Sequence, residues 1–87
     1  MITEIAKITG VSEEEILGRS RKQRISDARH LYFIVMLRNG FKNRDICRLN
    51  GVNHSTIIHG VNSFNGLLAS GDSTVNLWYR MAKNIKR

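Results

Sequence analysis

Eighty-seven residues, one cysteine and no proline set the first limits. A chain this short fits one domain, its lone thiol makes no internal disulfide, and its longest apolar run, the seven residues LYFIVML, is far too short to cross a membrane. The net charge of +7 is localised: nine Lys/Arg but only two acids, Asp27 and Asp45, lie between Arg19 and Arg48, the footprint of a polyanion binder and not of an evenly solvated surface.

The start, MITEIAKITG, mixes acidic and basic residues and does not read as a signal peptide, so a cytoplasmic protein is expected. Apolar residues recur at helical spacing nearly throughout. Thr3 is placed to cap a first helix to about Thr9, with Ile5 and Ile8 on one face and Gly10 as the stop. Ser12 caps EEEIL; the three glutamates suit the positive end of the helix dipole, and Gly18 ends the turn. RSRKQR, residues 19–24, reads as a basic loop or helix extension. Ser26 and Asp27 open a helix through ARHLYFIVMLRNG that is buried on most sides, with Tyr32 and Phe33 as core, and Asn39-Gly40 stops it. Asn43 caps NRDICRLN, whose inner face is Ile46 and Leu49, and Cys47 reads as a small core residue. Gly51, Val52 and Asn53 turn the chain into a helix over about 54–67, buried through Ile57, Ile58, Val61, Phe64 and Leu68. Asp72 or Ser73 caps a last helix with Val75, Trp78, Met81, Ala82 and Ile85 inward and KNIKR at its cationic end. The expected fold is all-α, one domain over 1–87, with the 43–50 and 54–67 helices forming a helix-turn-helix.

VNHSTIIHG, residues 52–60, carries the chemistry. His54 and His59 stand about 140° apart around a helix, whereas helical zinc pairs sit one turn apart, so no metal is expected. Ser55 and Thr56 have no acidic orienter or oxyanion loop beside them, and no phosphate-binding GxxxxGK[ST] occurs. An enzyme is not expected, nor a cofactor. With the aliphatic positions inward, Ser55, Thr56, His59 and Ser63 face out, and Asn53 and His54 form the tip. Such a tip suits contact with phosphates through N–H groups and with base edges through side chains; capping and plain solvation are the competing reading.

ICRLNGVNHSTIIHG resembles the signature of the C-terminal DNA-binding domain of the bacterial DnaA replication-initiator family, an Asp-His-Thr-Thr followed by two aliphatics and a His. RSRKQR with Arg29 looks like that family's basic loop and helix-opening arginine, and ITEIAKITGVSEEEIL like its leading helices, so nearly the whole chain takes part. The resemblance implies a Trp-repressor-like helix-turn-helix that binds double-stranded DNA. Asn53, His54, Ser55 and Thr56 would read bases or hold phosphate in the major groove. Arg21 would enter the minor groove, Arg29 would contact bases or backbone, and Arg44 and His59 would lie near phosphates. Arg19, Lys22, Arg24 and Lys42 would add phosphate neutralisation. Val52 stands where the family usually has Lys or Arg, Asn53 replaces Asp, Ser55 replaces Thr, Cys47 replaces Gly or Ala, and Gly60 replaces Ala. These departures bear on which DNA sequence is read. Without an ATPase motif, an ATPase or replication partner would act in trans. The expected role is origin-type recognition by a nucleoid-associated protein. A stand-alone phage or mobile-element transcriptional regulator and a basic protein-interaction adaptor are the alternatives.

Overall fold

The computed structural model describes residues 1–86; Arg87, and with it the last residue of the expected 1–87 domain, lies outside them. Six helices follow in order: α1 Ile2–Thr9, α2 Glu13–Leu17, α3 Gln23–Arg38, α4 Asn43–Asn50, α5 His54–Ala69 and α6 Ser73–Ala82. No strand occurs among the described residues, so the all-α expectation holds.

α3 is the central strut and packs against each of the other five helices. Its run Leu31–Met36 is buried apart from the half-buried Tyr32, which is why this stretch shows no helical amphipathicity. Its two flanks feed two apolar clusters. Ile5, Ile16, Ala28, Leu31, Val35, Phe64, Val75, Trp78 and Ala82 lie in the larger one. Phe33, Met36, Ile46 and Ile57 form a smaller one directly beneath the α4–α5 pair. That second cluster sets the angle between the two helices and so positions the exposed end of α5.

Caps mark most of the boundaries. Ser12 and Glu15 form a reciprocal capping box on α2, with Glu15 N–H to Ser12 Oγ at 3.1 Å. Asp72 accepts from Val75 N–H at 2.9 Å and caps α6. Gly10 and Gly51 close α1 and α4 in the left-handed region, at φ +75° and +63°.

Several expected boundaries and faces are corrected. α1 starts at Ile2, not after Thr3, because Met1 and Ile2 pack on the core and draw the first turn back; Thr3 Oγ1 instead donates to Glu13 at 3.1 Å. α3 starts at Gln23, not at Ser26-Asp27. Asp27 is buried and accepts from Gln23 Nε2 at 2.8 Å and Arg24 Nη1 at 3.2 Å, which fixes the extra turn. α4 is capped at Lys42, whose N–H is bound by Asp45 Oδ2 at 3.1 Å; Asn43 is its first residue. α5 continues to Ala69. Three expected core residues, Leu49, Ile58 and Met81, are exposed, since each stands at the margin of its helix's apolar stripe and no element covers that margin. α6 ends at Ala82, so Lys83 caps it and residues 84–86 of KNIKR follow the helix; the cation in its last turn is Arg80.

Candidate nucleic-acid interface

The α4–turn–α5 unit is built from the inside out. Ile46 and Ile57 are fully buried and clamp the two helices together. Gly51 takes the left-handed turn that an L side chain resists, Val52 packs down onto the smaller cluster, and Asn53 caps α5. Asn53 Oδ1 accepts three bonds: from Thr56 N–H at 3.0 Å, Ser55 Oγ at 2.8 Å and Thr56 Oγ1 at 2.9 Å. The two hydroxyls thus keep their lone pairs outward, while the Asn53 amide nitrogen makes no bond among the described residues. His54 is held by Asn43 Nδ2 at 3.3 Å from its Nε2. With the amide as donor, a neutral His54 ring carries its proton on Nδ1. Asn53, His54, Ser55, Thr56 and His59 are all exposed.

The basic loop is tied to this tip. Arg19 Nη2 donates to the carbonyl of Gly51, the glycine of the turn, at 3.2 Å. Arg29 holds the loop from below: Nε reaches the Ile16 carbonyl at 2.7 Å, Nη1 that of Ser20 at 3.0 Å and Nη2 that of Glu15 at 3.0 Å. Burial and then the neighbouring Arg19 charge lower the Arg29 pKa, although an arginine stays protonated. Arg29, expected at bases or backbone, also clamps the loop from within through these three bonds. Arg21 and Lys22 stand exposed on the loop it holds, and Lys42 and Arg44 stand exposed at the start of α4. Arg24 turns the other way and bridges Asp27 at 3.2 Å and Asp72 at 3.4 Å.

One residue of this surface escaped the sequence reading. His30 lines a cleft of about 390 Å³ with Ser55, Thr56 and His59. Its Nδ1 is buried without a partner among the described residues, and a Cβ at Gly60 would fall 2.6 Å from its Cδ2. Burial lowers the His30 pKa; Arg29 and His59 lower it further and Asp27 opposes them. The only cue in the sequence is a histidine beside Arg29, because its packing against Gly60 is tertiary.

The model of the bacterial DnaA helix-turn-helix matches residues 1–63. The chain belongs to that family. The chromosomal replication initiator protein DnaA of Kosmotoga olearia is 34% identical over 76 residues, which cover 86% of this chain and 17% of that protein. The DnaA of Pseudothermotoga lettingae is 34% identical over 77 residues, with the same coverage. The chain thus spans 17% of the length of these relatives. No solved structure matches.

Two departures from the DnaA pattern have a packing reason. Val52 replaces a cation where the chain dips onto the smaller cluster, so it contributes apolar contact. Gly60 replaces Ala where the His30 ring lies against the helix backbone. DnaA-family membership supports binding of double-stranded DNA, and no helix among the described residues is long and apolar enough to cross a membrane.

Proposed function

We propose that this chain is a sequence-selective double-stranded DNA-binding module of the origin-recognition type. The Arg19–Gly51 hydrogen bond carries the reading, because it joins the basic loop to the recognition turn and makes one continuous surface of them. The N-terminal tip of α5 enters the major groove with Asn53, His54, Ser55 and Thr56 toward base edges. Arg21 extends from the loop toward the adjacent minor groove. Lys22, Lys42 and Arg44 neutralise phosphates, His59 lies near them, and Arg19 adds charge at the seam between loop and turn. These cations supply most of the affinity and the tip supplies selectivity. Arg29 acts by holding the loop. Arg24 contributes charge while bound to Asp27 and Asp72.

Selection from a randomised duplex library at two salt concentrations tests the proposal. One enriched motif that persists at the higher salt is expected. Retention without any enriched motif would leave only a non-specific polyanion binder. An ATPase or other replication component acting on the same DNA would be a separate polypeptide or segment.

A further inference from the structure

Ile58 belongs to the signature stretch, yet neither the core nor the DNA-reading tip uses it: it is 48% exposed. It forms one wall of a groove of about 240 Å³ with Leu37, Asn43, Ile57, Val61 and Asn62. Two features say what the groove fits. Two exposed cations, Lys42 and Arg44, flank Asn43 in sequence, whereas Arg38, next to Leu37, lies over the Tyr79 ring and donates to its hydroxyl. The nearest acid in sequence, Asp45, is already engaged by the Lys42 N–H and by Arg48 at 3.2 Å. Asn43, which lines the groove, carries an Oδ1 that is buried and has no hydrogen-bond partner among the described residues.

We infer that this groove docks a short acidic segment of a partner protein, a large apolar side chain of which lies against Ile58, Val61 and Leu37 while its carboxylates meet Lys42 and Arg44. Aliphatic walls with a cationic rim match an apolar anchor flanked by Asp or Glu. A purely apolar occupant would leave the rim unpaired, and duplex DNA would leave the aliphatic walls against water. The docked segment and DNA exclude one another. Ile58 is only about 60° from Ser55 around α5, and both ligands call on Lys42 and Arg44. The docking itself goes beyond the DNA-binding reading; only the exclusion rests on it.

Selection from a random 16-residue peptide library on the immobilised protein, counter-selected on Ile58→Asp, tests the docking without any DNA present. Enriched peptides that combine Asp or Glu with a large apolar residue are expected. Their affinity should fall at least tenfold on Ile58→Asp and at least threefold on Ile58→Ala, with both variants retaining the wild-type circular dichroism spectrum. Amide shifts on binding should centre on Leu37, Asn43, Ile58 and Asn62. No Ile58-dependent enrichment, or enriched peptides without acids, would overturn the docking. An unrelated duplex that displaces the peptide at low salt is the expected second result; simultaneous binding would overturn the exclusion and leave the docking standing. A failure to bind DNA at all would strike the proposed function and not the peptide result.

Discussion

The Cα of Gly60 lies against the imidazole of His30, so closely that an added Cβ would come within 2.6 Å of Cδ2. An alanine inside a helix ordinarily stabilises it by about 1 kcal/mol relative to glycine. Here overpacking opposes that gain, so Gly60→Ala is expected to lower stability by about 1–3 kcal/mol. In a His30→Ala background the same change is expected to be stabilising. Urea unfolding of the four proteins of this double-mutant cycle checks it. Additive effects would show that the two residues do not meet.

Arg29 and Arg21 are both cations of the basic region, but their surroundings assign them different work. Arg29→Lys loses the fork that binds three carbonyls and is expected to cost about 1–3 kcal/mol of stability. It should also weaken DNA binding by loosening the loop. Arg21→Ala is expected to weaken DNA binding with thermal stability unchanged. Thermal unfolding and DNA titration of both variants separate the roles; an Arg29→Lys protein of wild-type stability contradicts the clamp.

His30 makes stability depend on pH. Burial holds its folded pKa below the ordinary 6.5. The unfolded chain therefore binds more protons than the folded one between the two values, and stability rises with pH across that window. On acidification the loss begins near pH 6.5, the unfolded pKa, and is complete below the folded pKa. His30→Gln is expected to flatten this part of the profile. Chemical unfolding from pH 5 to pH 8 reads it, and an unchanged slope in His30→Gln contradicts the assignment.

Asn53 caps α5 through Oδ1 and leaves its amide nitrogen outward. Asn53→Asp keeps the cap and adds negative charge at a helix N-terminus, worth about 0.3–1 kcal/mol. It also replaces a donor at the reading tip with an acceptor. The preferred base at one position of the enriched motif is then expected to shift toward a donor edge such as cytosine N4. Parallel selections with the two proteins check this; an unchanged motif would place Asn53 away from the bases.

The fold was legible wherever a local signal settles the backbone. Ser12, Asp72, Gly10 and Gly51 announce their caps, and the Ile57–Val61–Phe64 spacing announces the buried face of α5. Reading failed where tertiary contact decides. Asp27 looks like a helix-opening residue but is a buried acceptor inside α3. Leu49, Ile58 and Met81 fit an apolar period, yet no neighbouring element covers them. At the candidate site the exposed tip, 53–56 with His59, was visible from the helical wheel. The clamping geometry of Arg29 was not, because its three carbonyl partners lie 9 to 14 residues away in sequence. His30 was missed for the same reason, since it reaches the recognition helix only through the packing of α3 on α5.

The central claim is that one continuous surface of loop cations and helix tip binds duplex DNA. Its most direct test is fluorescence-anisotropy titration of a selected duplex from 50 to 300 mM salt, with wild type, Lys22→Ala and His54→Ala. For about five or six phosphate contacts, the logarithm of Kd is expected to rise with the logarithm of salt at a slope of about 4–6. Lys22→Ala should reduce that slope by about one and weaken selected and scrambled duplexes alike, whereas His54→Ala should erase the preference and leave the slope unchanged. A Kd that does not respond to salt, or variants that change slope and preference in the same way, would contradict the account.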